Sequence, residues 1–166
     1  MKAIVAVDKN WGVGQNNDLL FSIPEDMKFF RETTKGKVVV MGANTLRSFP
    51  NGNPLKNRIN IVLSSTIKRD DCIVVDSLDK LFEEIKKYPS DEVYLIGGAM
   101  LYKTLLPYCS EALVTKVDAD GDATVYFTNL DLLKEWTLQN QSDKITSNGF
   151  DITFTTYKNT CVKEMD

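Results

Sequence analysis

The chain has 166 residues, enough for one domain whose core needs no metal or disulfide to hold it. Composition is ordinary for a globular protein, 43% hydrophobic and 26% charged, and a net charge of −3 argues against a nucleic acid or an anionic membrane as partner. Histidine is absent, which excludes Ser–His–Asp and Cys–His machinery and leaves acid–base chemistry to a carboxylate, tyrosine, cysteine, lysine or water.

In chain order, the β-branched runs Ala3–Asp8, Lys37–Met41, Ile59–Leu63, Cys72–Val75 and Glu92–Ile96 are short and nearly continuous. Such runs suit strands buried on both faces of a parallel sheet. Ala112–Val117 and Glu135–Gln139 are two further strands. In Phe150–Tyr157, Phe150, Ile152 and Phe154 alternate with polar residues, which predicts a half-exposed antiparallel last strand. Helices are predicted between the runs: Pro24–Thr34 with proline in its first turn, a short one after Gly42, Ser77–Tyr88 capped by Asp76 or Ser77, and Ala99–Leu106 stopped by Pro107. The whole reads as an α/β fold: a central, mixed, mostly parallel eight-stranded sheet with an antiparallel C-terminal strand and about four flanking helices. The segment 159–166 lacks periodicity and is expected to be a mobile tail.

The apolar run Ala3–Val7 is too short for a membrane span or a secretory leader. Cys72, Cys109 and Cys161 are odd in number and lack C-x-x-C spacing, so the expectation is a reduced, cytoplasmic chain without a metal site.

Three places carry possible chemistry. Ile23, Asp26, Met27 and Phe30 share one face of the first helix, so an acid stands in an apolar stripe expected to face the core. Asp26 is either a first-turn acid favoured by the helix dipole or a cleft residue that hydrogen-bonds a ligand's N–H groups. The diglycine Gly97-Gly98 joins a strand to a helix, a geometry for tight turning or for close approach of a phosphate. Gly42-Ala43-Asn44-Thr45 and Ser64-Ser65-Thr66 also follow strands, so several strand ends suit a nucleotide-like ligand crossing the carboxyl edge. Gly12-x-Gly14 lacks the rest of a dinucleotide fingerprint, and Gly12–Leu20 reads as a flexible lid loop.

Taken together, the order of motifs resembles dihydrofolate reductase over roughly residues 2–158. The pieces are IVAVD at Ile4–Asp8, VGQNNDLLFSIPEDMKFF at Val13–Phe30, VVMGANT at Val39–Thr45, Ser48, Pro54-Leu55 to Arg58, NIVLSS at Asn60–Ser65, LIGGAMLY at Leu95–Tyr102 and the run ending at Thr115. The resemblance implies one domain over 1–158, a monomer, NADPH as cofactor and dihydrofolate as substrate. Hydride goes to C6 of the pteridine and a proton to N5.

By the same resemblance, Asp26 holds the pteridine's 2-amino group and N3, with Thr115 supporting the carboxylate and water delivering the proton. Ile4, Val5, Ala6, Met27, Phe30, Phe49, Leu55, Ile96 and Tyr102 frame the substrate, and Arg58 pairs with its glutamate α-carboxylate. Ala6, Val13, Gly42, Ala43, Asn44, Thr45, Ser64, Ser65, Gly97, Gly98, Ala99, Met100, Leu101 and Tyr102 seat the cofactor.

The chain departs from the family in three places. Leu20-Phe21 replaces the usual Pro-Trp, so Phe21 keeps an apolar wall but lacks the indole N–H that helps place a water near Asp26. Ala43, Asp76 and Met100 stand where cations often meet the 2′-phosphate, which predicts a weaker preference for NADPH over NADH. Phe49–Lys56 looks longer than in compact bacterial relatives. The competing readings are a reductase of another pterin or of a pyrimidine, and a catalytically silent folate- or nucleotide-binding module.

Overall fold

The computed structural model describes residues 1–15 and 20–165. Its elements alternate as the apolar runs predict: β1 (Lys2–Val7), β2 (Gly12–Gly14), α1 (Pro24–Thr34), β3 (Val38–Gly42), α2 (Ala43–Ser48), β4 (Ile59–Leu63), β5 (Ile73–Val75), α3 (Leu78–Ile85), β6 (Val93–Gly97), α4 (Ala99–Leu105), β7 (Glu111–Val117), β8 (Val125–Tyr126), β9 (Trp136–Gln141), β10 (Ile145–Ser147) and β11 (Phe150–Asn159). The first helix starts on Pro24, which needs no amide partner there. The third is capped by Ser77, whose hydroxyl accepts the Lys80 N–H at 3.2 Å.

The main sheet runs β5-β4-β3-β6-β1-β7-β11, with the first six strands mutually parallel and β11 antiparallel to β7. Strands β9 and β10 lie end to end along the outer edge of β11: Gln141 pairs with Thr155 and Ile145 with Ile152. They fill one strand position, the eighth, so the sheet is the mixed, mostly parallel one expected, flanked by four helices.

Alternate residues of each strand serve opposite faces. Val38, Val40, Ile61, Leu95, Val5 and Val114 pack with α3 and α4 in the larger core. On the other face Val39, Met41 and Val62 pack with Leu46 of α2. Ile23, Val117 and Ile152 form a third cluster near the start of α1.

Two expectations change. Strand β11 is internal, not half-exposed: its polar-looking face is covered, with Thr155 donating to Val114 O at 2.6 Å and Tyr157 buried under Trp11 at 5.8 Å between ring centroids. The Gly12–Leu20 segment is not a loop throughout, because Gly12–Gly14 pairs with β8 as a small separate sheet. The rest of that lid reading falls on 16–19, outside the described residues.

Candidate active site

Because β1, β3, β4, β5, β6 and β7 are parallel, their carboxyl ends share one edge of the sheet. Helix α1 covers the β7–β11 side of one face, where Phe29 stacks on Phe154 with centroids 4.7 Å apart. Helix α2 covers β3 and β4 on the same face. Between them β1 and β6 present Ala6 and Ile96, both partly exposed, as the floor of a cleft. Ala6, Thr115 and Phe154 are register partners, so Thr115 stands next to that floor.

The apolar stripe of α1 does not enter the core as a whole. Ile23 is buried, Asp26 and Phe30 are half-buried, and Met27 is 52% exposed. A stripe that stays at the surface forgoes up to about 1.5–3 kcal/mol for each large side chain left uncovered. Periodicity marks which residues could be covered; here no element among the described residues covers Met27.

Burial raises the Asp26 carboxyl above the ordinary carboxylate range, and the neighbouring Thr115 hydroxyl pulls it partly back. Tyr102 lies close by: its hydroxyl donates to Ile4 O at 2.7 Å. Burial first, then the Asp26 charge, pushes that phenol above its ordinary value, so it stays a neutral donor. The Ile4 carbonyl, an expected ring contact, therefore already accepts one hydrogen bond. Val5 and Leu101 turn their side chains into the α3–α4 core and offer the cleft main chain alone.

Phe49, Leu55 and Ile96 pack together on the α2 cluster, at one wall. Phe21 is held elsewhere: it stacks on Phe150 at 4.8 Å and sits within the Ile23–Val117–Ile152 cluster. A β-carbon on Gly121 would come within 3.1 Å of its ring, so Gly121 is what allows Phe21 and Leu20 to seat there.

Arg58 is half-buried and its Nε has no hydrogen-bond partner among the described residues. Its guanidinium is destabilised first by burial and then by the charge of Arg31. Two cations brought together, with no ion pair to an acid among the described residues, make a place for an anion. The segment carrying Arg58 is fixed by Asn60, whose amide donates to Leu55 O (2.9 Å) and Arg58 O (3.1 Å) and accepts the Leu55 N–H (2.9 Å). Asn60 and Arg31, which motif reading passed over, stand at the candidate site through their contact with Arg58. Arg31 lies one turn after Met27 on the same stripe, a signal available in the spacing. The role of Asn60 had none, since its partners lie outside any periodic element.

At the carboxyl edge, Gly42, Thr45, Gly97 and Gly98 converge. The Gly97–Gly98 peptide is cis. A β-carbon on Gly97 would lie 3.0 Å from Thr45 Oγ1, one on Gly98 3.6 Å from the same atom, and one on Gly42 4.0 Å from the Gly98 amide. Gly97 also has φ of 139°, a conformation that side chains resist. Main chain bare of side chains with a hydroxyl beside it is a cradle that fits the pyrophosphate of a dinucleotide. Ser64 and Ser65 follow β4 on the same edge, while Asn44 and Met100 are exposed and Ala43 and Ala99 half-buried around the cradle. Val13 packs beside Trp11 on the main core.

Asp8, just past β1, is 2% exposed and takes three backbone donors: Asn10 at 2.8 Å and Gly12 at 2.7 Å on Oδ1, Gly121 at 3.1 Å on Oδ2. It ties the β1–β2 turn to the loop that seats Phe21. A cavity of about 290 Å³, lined by Arg58, Asn60, Asp70, Asp71 and Cys72, opens at the amino ends of β4 and β5, away from the glycine cradle.

A sequence model of the family described as dihydrofolate reductase matches residues 1–159. Dihydrofolate reductase of Schistosoma mansoni is 38% identical, covering 95% of this chain and 95% of its own length. That of Bacillus subtilis (strain 168) is 35% identical, covering 93% and 92%. The structure of dihydrofolate reductase from Enterococcus faecalis, complexed with NADP(H) and RAB-propyl, superposes with a TM-score of 0.84 at 26% identity, covering 95% of each chain. The cleft acid, the glycine cradle and the matching sequence over the full sheet agree, and the chain belongs to the dihydrofolate reductase family.

Proposed function

We propose that Asp26 is the acid that anchors and polarises the pteridine in the reaction of this family, the NADPH-dependent reduction of dihydrofolate to tetrahydrofolate. The observation that carries the assignment is a carboxyl group raised by burial on the open stripe of α1, with Thr115 at its side. A carboxylate there accepts the 2-amino and N3 hydrogens of the ring, and its charge raises the proton affinity of N5. Water delivers that proton, since Asp26 is held by α1 and Thr115 at the far end of the ring system. The chemistry supplied by NADPH when bound is hydride donation from its nicotinamide. The residues' part is to align the two rings and keep other water out.

Gly42, Thr45, Gly97 and Gly98 hold the pyrophosphate, Ser64 and Ser65 the adenosine side, and Ala6 and Ile96 form the floor between the rings. Phe30, Phe49 and Leu55 enclose the benzoyl group, and Arg58, with Arg31 beside it, takes the glutamate carboxylates. Phe21, packed against Phe150 in the Ile23–Val117–Ile152 cluster, offers no hydrogen bond to a water beside Asp26. Residues 1–158 act as one domain.

The chain works as a monomer in the cytoplasm without nucleic acid. The net charge of −3 speaks against a nucleic-acid partner, and three cysteines free of disulfides suit a reducing compartment. Among the described residues no helix is long and apolar enough to cross a membrane.

The test is a spectrophotometric assay of the purified chain with NADPH and dihydrofolate. Loss of reduced nicotinamide that depends on both is expected. Tight binding of both without turnover would show a silent binding module instead, and turnover with a different pterin alone would reassign the substrate.

A further inference from the structure

From the Asp26 side, strands β1, β6, β3, β4 and β5 follow one another at about 4.8 Å, so a ligand along their carboxyl ends from β1 to β5 spans about 19 Å. If the pyrophosphate lies in the glycine cradle, as proposed above, the adenosine ribose reaches the ends of β4 and β5. Those ends carry Ser64, Ser65 and Thr66 on one strand and Asp76 on the next. They are joined by the Ser64 N–H, which donates to Val75 O at 2.9 Å. The Ser64 hydroxyl oxygen accepts the amides of Thr66 (3.2 Å) and Ile67 (3.1 Å), so the hydroxyl's own proton is what it has to offer.

One cation at this corner is already committed. Lys80 Nζ lies 2.9 Å from Asp76 Oδ1. Arg69 is engaged at the opposite end of β5, where it grips Asp71 through Nε at 2.8 Å and Nη2 at 2.6 Å. Arg47 donates to Asn44 Oδ1 at 2.9 Å. Lys68 stands exposed on the intervening loop. Dinucleotide sites that present a carboxylate to the adenosine ribose favour a 2′-hydroxyl, whereas a cation there accommodates a 2′-phosphate.

We propose that Asp76 sets cofactor specificity: it occupies Lys80 and presents its own charge to the adenosine ribose, so the site gains little from a 2′-phosphate and accepts NADH nearly as well as NADPH. This rests on the cofactor placement proposed above. A dianionic 2′-phosphate beside Asp76 meets like charge, while a 2′-hydroxyl can donate to the same oxygen.

The experiment titrates the full chain with NADPH, NADH, 2′,5′-ADP and 5′-AMP by calorimetry at fixed ionic strength, for the wild type, Asp76→Lys and Lys80→Ala. Expected is a wild-type preference for 2′,5′-ADP over 5′-AMP below about tenfold. Asp76→Lys then tightens 2′,5′-ADP and NADPH at least tenfold, with 5′-AMP and NADH within about twofold. Lys80→Ala weakens the 2′-phosphorylated pair alone. A wild-type preference of tenfold or more, or an Asp76→Lys ratio equal to the wild type's, overturns the proposal while leaving the cradle in place. Absence of binding by all four overturns the cofactor placement and this proposal with it. Both residues are exposed and their ion pair contributes little to folding, so unchanged thermal unfolding certifies the variants.

Discussion

The two faces of the sheet treat buried polar groups differently. On the α3–α4 face, groups withdrawn from water have met their partners within the fold. Thr155 reaches Val114 O, and Asn159 donates to Cys109 O at 3.0 Å while its Oδ1 accepts the Cys161 N–H at 2.9 Å. Tyr157 bonds Asp131 at 2.7 Å, and Lys116 lies over Trp11 and Tyr157 at 5.2 Å from each ring. On the α1–α2 face, Asp26 has only the neighbouring Thr115 hydroxyl to offset its burial, and Arg58 has no partner for its Nε among the described residues. A protein tolerates such under-compensated charge where a ligand completes it, and stability is lost there in exchange for function. The contrast also separates Asp26 from Asp8, since the latter's three amide donors make it a clamp with nothing left to give a substrate.

The largest expected effect breaks the contrast at its centre. Asp26→Asn should slow hydride transfer near neutral pH by about 10²–10⁴-fold, read in single-turnover kinetics. The same variant should melt higher. A carboxyl whose folded pKa is raised costs stability once pH exceeds its unfolded value of about 3.9, and the whole cost is present above the folded pKa. The advantage of asparagine should therefore be seen at pH 7 and vanish below about pH 4. A wild-type rate at all pH values, or a lower melting temperature at pH 7, would make Asp26 an ordinary helix-start acid.

Next is Arg58→Leu. Loss of a charge-assisted pair with the substrate's carboxylate should raise the dihydrofolate Kd roughly 10–100-fold, with kcat much less affected. Because the guanidinium lacks a complete set of partners in the free protein, its removal should not lower the melting temperature. A drop of several degrees would make Arg58 a structural residue. Asn60→Ala tests the support behind it. It strips partners from Leu55 and Arg58 together, should cost about 1–3 kcal/mol of stability, and should raise KM severalfold through the displaced Arg58.

The difference between the faces also explains what could be read from sequence. Covered strands leave continuous β-branched runs, so Val38–Gly42 and Val93–Gly97 were legible within a residue or two. The start of α1 followed from Pro24, and the strand ends with glycine and hydroxyl residues share one edge of the sheet, as their order along the chain implied. Hidden from such reading were the features made by contacts between distant segments. The two short strands Gly12–Gly14 and Val125–Tyr126 pair under a clamp formed by Asp8, and Asn60 bonds residues of no regular element. The α1 stripe misled for a physical reason: an apolar face left open at the surface has the same period as one buried in a core.

The smallest effect lies on the satisfied face and should leave catalysis untouched. Tyr157→Phe keeps the ring under Trp11 and removes the bond to Asp131, which should cost about 1 kcal/mol at pH 7 and roughly 2–4 °C in melting temperature. In the wild type, burial and then Asp131 raise this phenol above its ordinary value. The bond's contribution is thus complete below about pH 10 and is lost as pH climbs past that point, where the unfolded phenol ionises first. Wild type and variant should therefore converge in stability on the alkaline side, while kcat/KM stays the same at every pH. A change in kcat/KM would mean that the two faces are coupled, with Trp11 and Phe127, stacked at 6.3 Å, and Phe127 against Tyr102, at 5.0 Å, as the contacts that join them. Unchanged kinetics together with the alkaline convergence would confine the cost of function to the α1–α2 side.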